Sequence, residues 1–262
     1  MKIFLKALQV EILKTTRSSI VRASFIAFGL APVMGALFIL MIQYPENFTQ
    51  AGGLYNKAKT MNFENNWTSY MGILSQAVGV GGILIFGFVA SWIFGREYSD
   101  STAKDLLSLP TSRTTIIKAK FALYTFWCLS LAISNMCLAF ILGFLLDLPA
   151  VEFQAVLLQL SKYAMTTLLT VLVGTPIAFF AIYGKGYLVP LAFVALTLVF
   201  AQVIAAAGYG NYFPWSIPGL YSGTGGDYKD HLGQVSYFIL LLTGISGYLA
   251  TVFYLKYADH TR

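Results

Sequence analysis

The sequence predicts an all-α membrane protein with six transmembrane helices, and three observations predict it. Hydrophobic residues make up 57% of the 262 positions and charged residues only 11%, where a soluble domain carries about 25% charged residues. The charges gather in clusters separated by long charge-free runs. The lysines and arginines also fall on alternate sides of those runs. A soluble protein of this composition would have almost no polar surface to offer water.

The chain opens on a charged segment in which Ile3, Phe4, Leu8, Ile12 and Leu13 recur at helical spacing, with Lys2, Lys6, Lys14 and Arg17 among them. That pattern predicts an amphipathic helix lying in the membrane interface, apolar side toward acyl chains and cations toward phosphates. Charge-free runs follow at Ala23–Pro45, Asn65–Gly95, Phe121–Leu146, Tyr163–Gly184, Gly186–Gly226 and Leu232–Leu255. A spanning helix needs roughly 20 mainly apolar residues. The second half of the longest run is dense in Gly, Pro and aromatics, so it reads as one helix followed by an irregular loop at the membrane surface. The expected spans are 20–43, 71–94, 121–146, 161–183, 187–207 and 233–255, within one transmembrane domain covering 1–262. A β-barrel would need short alternating strands of about 9–11 residues, which these segments are not. The charged segment ahead of a spanning-length run also argues for a retained helix over a cleaved signal peptide.

Short loops rich in Lys and Arg stay in the cytoplasm. On a six-span topology thirteen of the seventeen cations fall on one side, and only Lys57, Lys59 and Lys229 on the other. Both termini are therefore expected inside, and the net charge of +6 is a topology signal; no nucleic-acid partner is expected. Lys162, at the start of the fourth span, is expected to snorkel to the interface. The Asn47 and Asn66 sequons are short patterns to which no function attaches. The pair of glycines around Lys185 permits a tight reversal, making spans 4 and 5 antiparallel neighbours. The aromatic loop at 208–232 suits either an interfacial or a re-entrant element. Small residues recur four apart at Ala23, Ala27, Ala31 and Gly35, and at Gly87, Ser91 and Gly95; such stripes let helices approach closely, within a bundle or across a dimer. Cys128 and Cys137 read as packing residues.

One inner loop carries most of the functional information. Ser101 or Thr102 can cap a short helix of good formers, which Pro110 ends. Thr111 or Ser112 can cap a second helix running into the third span. Leu106, Leu107 and Leu109 would then need lipid or a protein partner to cover them.

Arg96, Glu97 and Tyr98, followed by Thr102, Leu106, Leu107, Leu109, Pro110, Ser112, Arg113, Ile116 and Lys120, resemble the cytoplasmic segment of ABC-2 type permeases, the membrane halves of ATP-driven exporters. The small size, the six spans and the opening Glu11, Ile12, Leu13, Lys14 are similar to bacterial bacitracin-resistance and lantibiotic-immunity permeases. The topology matches over the whole chain and the motif over about 25 residues. The resemblance implies a coupling helix that docks on a cytoplasmic ATP-binding-cassette subunit through Glu97, Thr102, Leu106, Leu107, Pro110 and Arg113. It further implies a second permease copy or a related permease, a bacterial plasma-membrane location, and ATP and Mg bound by the partner subunit, with no cofactor in this chain. The cargo implied is hydrophobic or amphipathic, such as a peptide antibiotic or a lipid-linked molecule. Ser101 departs from the family pattern, where many relatives have glycine.

Some absences agree with this. The chain has no phosphate-binding P-loop, no nucleophile and base in register, and no metal-ligand spacing around His231 or His260, so it is expected not to be an enzyme by itself. The alternatives are a secondary transporter, which would show buried carboxylates or broken helices in matching halves, and a membrane-embedded enzyme or sensor.

Overall fold

The computed structural model describes residues 2–48, 64–102, 111–149, 151–224 and 232–257. It contains six helices long and apolar enough to cross a membrane. Helix α1 is Lys2–Thr16 and α2 is Ser19–Gln43, the first span. Span 2 is α3 (Trp67–Gln76), a π-helical turn at Ala77–Gly81, and α4 (Gly82–Ser99). Span 3 is α5, Arg113–Leu145. Span 4 is α6 (Phe153–Val173) and α7 (Thr175–Tyr183), separated by a break at Gly174 and Pro176. Span 5 is α8 (Leu188–Ala206), α9 is the short Ile217–Ser222, and span 6 is α10 (Gln234–Tyr257).

The helices run past the charge-free windows. Span 3 begins at Arg113, capped by the Ser112 hydroxyl on the Thr115 amide at 3.3 Å. Lys118 and Lys120 therefore lie on this helix, as the expected cap at Thr111 or Ser112 implied. A charge-free window marks what lies in hydrocarbon, while a helix continues for as long as its backbone bonds can be made.

The bundle is apolar outside as well as in its core, and its polar side chains are turned inward. Ile26, Ile133, Leu158, Leu196 and Phe238 are exposed, whereas Asn135, Thr166, Thr167, Thr170 and Ser91 are buried. Each buried threonine on span 4 donates to its own helix, for example Thr166 to Lys162 O and Thr170 to Thr166 O, both at 2.8 Å. Asn135 does more. Pro32 sits inside α2, where it has no N–H for the carbonyl of Phe28 four residues earlier. Asn135 Nδ2 of span 3 donates to that carbonyl at 2.7 Å. The Tyr70 hydroxyl of span 2 donates to Pro32 O itself at 2.9 Å. A backbone group that lipid could not satisfy thus joins spans 1 and 3.

The aromatic loop is not a surface cover. After a 3-10 turn at Gly210–Tyr212, α9 packs against span 4 and the π turn of span 2. A Cβ on Gly79 would lie 2.6 Å from Pro218 O, so only glycine admits α9 here. Gly79 is about 18 Å along the axis from Trp67 at 1.5 Å per residue. The Trp215 ring stands edge-on to Phe193 with centroids 5.3 Å apart, and Phe193 lies about 20 Å before the end of span 5. Of the two readings open for 208–232, an interfacial or a re-entrant element, the packing of the described residues 208–224 favours the re-entrant one. Its depth needed a partner surface, supplied by the π turn, that local composition could not reveal. Lys162 Nζ sits 3.3 Å from the Cβ position of Gly223, just beyond α9.

Candidate functional site

Six helix ends meet at one end of the bundle. The turn between spans 4 and 5 lies on span 2, where a Cβ on Gly95 would come 2.8 Å from Gly186 O. Arg113, opening span 3, donates from Nη1 to the Leu255 carbonyl at 2.9 Å, one of the carbonyls that the end of span 6 leaves without a helical partner. These contacts collect the starts of spans 1, 3 and 5 and the ends of spans 2, 4 and 6.

At the centre of this end is a buried ion cluster. Glu11 comes from α1, Arg96 and Glu97 from the last turn of span 2, and Lys120 from the first turns of span 3. Their exposures are 3%, 6%, 4% and 4%. Lys120 Nζ donates to Glu97 Oε1 at 2.7 Å, Glu11 Oε2 at 3.1 Å and Ile93 O at 2.8 Å, which uses all three of its protons. Arg96 reaches Glu11 Oε2 at 2.8 Å and Glu97 Oε1 at 3.4 Å, and its guanidinium lies over the Trp92 ring at 4.6 Å. Lys14 approaches both carboxylates from the rim, at 3.4 and 3.7 Å. The two fully buried acids and two fully buried bases balance, which a low-dielectric site requires. The cluster ties α1 to both membrane helices that flank residues 103–110.

The sequence pattern did not expose this. The spacing put Ile3, Phe4, Leu8, Ile12 and Leu13 on one apolar side of α1. In the structure Leu8 and Ile12 pack inward on either side of Glu11 and Thr15, which are buried, whereas Ile3 and Leu13 are exposed. The face toward the bundle is thus partly charged, because Arg96 and Lys120 are there to receive Glu11. The legible signal was Glu11 itself, the one acid in an otherwise basic segment.

The expected docking residues have different surroundings. Glu97 turns its carboxylate into the cluster. The Thr102 amide donates to Glu97 O at 2.8 Å, and Ser101 has φ of 59°. This is a Schellman-type ending, whose left-handed position favours glycine, and it gives the physical meaning of the departure at Ser101. Arg113 binds span 6. Leu106, Leu107 and Pro110 lie outside the described residues. Of the small-residue stripes, Gly87, Ser91 and Gly95 are buried within this chain, against spans 4 and 5. Gly35 is buried against the Tyr70 ring, Ala31 is half-buried and Ala27 is exposed. The span 1 stripe is therefore a packing face only at Gly35, because the helix turns its Ala23 and Ala27 end outward. Cys128 is buried and Cys137 exposed, both free.

Comparison with known proteins places this geometry. Residues 7–203 match the family model described as ABC-2 family transporter protein. The bacitracin transport permease protein BCRB of Bacillus licheniformis is 24% identical over 178 residues, covering 68% of this chain and 85% of that protein. No solved structure matches significantly.

Proposed function

We propose that this chain, which belongs to the ABC-2 transporter family and is a multi-pass membrane permease, works with separate ATP-binding-cassette subunits that supply ATP and Mg and dock around residues 97–113. The observation that carries the proposal is the buried cluster of Glu11, Arg96, Glu97 and Lys120. It rigidly joins the two helix ends flanking 103–110 to each other and to α1. A force applied to that segment by an ATP-driven partner would move spans 2 and 3 together with α1, because separating them would strand buried charges. In this reading Leu106, Leu107 and Pro110 contact the partner, while Glu97 and Arg113 hold the segment's two ends.

The proposed membrane is the bacterial plasma membrane, with both termini cytoplasmic, as the cation distribution supports. The chain acts beside a second permease, itself or a related one. The cargo is hydrophobic or amphipathic, and the similarity to a bacitracin transport permease favours a peptide antibiotic or its lipid-linked target. The buried carboxylates do not favour an ion-coupled transporter. Glu11 and Glu97 are each closed by Arg96 and Lys120, leaving no coordination for a travelling cation.

The test is co-purification with the ATP-binding-cassette subunit and protection of cells from bacitracin. L106D/L107D should abolish both while the permease still reaches the membrane. Retention of the subunit and full protection in that variant would refute the docking assignment.

A further inference from the structure

Between α1, span 1 and span 3 lies an open cleft with a cavity volume of about 120 Å³. Its apolar walls are Ile12, Val21, Phe25, Leu123 and Phe126. Four further side chains on the lining carry polar hydrogens, and all four donate inside the protein. Thr15 bonds Glu11 O at 2.7 Å, Thr16 bonds Leu13 O at 3.2 Å, and Ser130 bonds Phe126 O at 2.8 Å. Trp127 Nε1 bonds Ser24 Oγ at 3.2 Å. No polar hydrogen is left for a guest, so the cleft suits hydrocarbon and gives water little to bind. From Leu123 to Ser130 it runs about 10 Å along span 3.

Two arginines neighbour residues of the cleft lining in sequence. Arg17 follows Thr16 in the turn between α1 and span 1, and Arg22 follows Val21. Both are exposed, and neither forms an ion pair among the described residues. The acid of α1, Glu11, is buried in the cluster on the bundle side and does not neutralise them. A helix from a second copy could fill the apolar part but would leave both guanidinium groups without counter-charge. A molecule with an acyl chain and an anionic head satisfies both parts. We infer that this cleft is a binding site for an anionic phospholipid, its acyl chain between Phe25 and Phe126 and its phosphate at Arg17 and Arg22. A lipid there would press α1 onto spans 1 and 3, beside the ion cluster.

The probe is the full chain in nanodiscs doped with phosphatidylglycerol or phosphatidylcholine bearing a photoactivatable acyl chain, with labelled peptides mapped by mass spectrometry. Phosphatidylglycerol should label segments 12–25 and 123–130 in preference to the other lipid-facing helices. Each of R17Q and R22Q should lower its advantage over phosphatidylcholine about five-fold. Ser130→Phe, which fills the cleft, should remove the labelling there. The wild-type map decides if that variant does not fold. Equal labelling by both lipids, uniform labelling around the bundle, or cross-links between two copies at Phe25 and Phe126 would overturn the site. None of these outcomes depends on an ATP-binding subunit, so the result stands apart from the docking test.

Discussion

Position 11 places an acid in a helix whose other charges are Lys2, Lys6 and Lys14. Its carboxylate meets Arg96 and Lys120 at 2.8 and 3.1 Å in a site almost closed to water. Removing one partner of a buried ion pair leaves a charge uncompensated and costs about 3–5 kcal/mol. Glu11→Gln should therefore lower the thermal midpoint of the purified protein sharply, and so should Lys120→Met. The double variant removes one charge of each sign, so its loss should fall well short of the sum of the two. Strict additivity in that cycle would mean that the two side chains do not share one network. Ser101 gives a prediction of opposite sign. Its φ of 59° is costly for a residue with a Cβ, so Ser101→Gly should stabilise by about 0.5–1 kcal/mol. An unchanged or lower midpoint would place the strain elsewhere.

Among the elements, the link between spans 1 and 3 is a backbone repair. Pro32 strips the Phe28 carbonyl of its helical donor and Asn135 replaces it at 2.7 Å. Asn135→Ala should then cost about 1–3 kcal/mol, the cost of an unsatisfied buried acceptor. In a Pro32→Ala background the helix supplies its own N–H, and the same substitution should cost clearly less. An equal cost in both backgrounds would reduce Asn135 to a packing residue. Neither partner was legible from sequence as half of a pair, since they lie 107 positions apart. What was legible followed local rules. The charge-free runs found all six long apolar helices, and the glycines around Lys185 marked a real turn, with Lys185 at φ of 50° and Gly186 at 158°. The start of span 3 was legible from its capping residues, which put Lys120 on a helix, but not the place of Lys120 in the cluster. The depth of α9 was hidden because it depends on a π turn at Ala77–Gly81, where Gly79 lets the Pro218 carbonyl approach. The cluster was half visible: Glu97 stood out within a motif, but Glu11 and Arg96 came together only when α1 folded back onto spans 2 and 3.

For the whole molecule, the gathering of helix ends has a consequence for sidedness. Glu11 to Arg96 and Lys120, Gly95 to Gly186, and Arg113 to Leu255 place the α1–span 1 turn, the end of span 2, the start of span 3, the span 4–5 turn and the end of span 6 at one end of the bundle. The opposite end holds the contact of Gln43 Nε2 with Leu146 O at 3.1 Å and the start of span 4. Among the described residues, the cations of α1 and its turn, Arg96, Arg113, Lys118 and Lys120, Lys185 and Lys256 therefore share one end by packing, independently of any argument from charge. The positive-inside rule assigns that end to the cytoplasm. Single cysteines can read this in intact cells, with Cys128 and Cys137 replaced to remove background. Lys185→Cys and Arg17→Cys should resist a membrane-impermeant maleimide until the cells are opened, and Glu152→Cys should react at once. The packing demands that positions 17 and 185 behave alike whichever way the bundle sits. Opposite labelling of those two would contradict the fold, whereas joint labelling from outside, with Glu152→Cys protected, would keep the fold and reverse its orientation. A reversed orientation would also put residues 97–113 out of reach of any cytoplasmic ATP-binding subunit, so this one measurement bears on the architecture and on the proposed source of energy together.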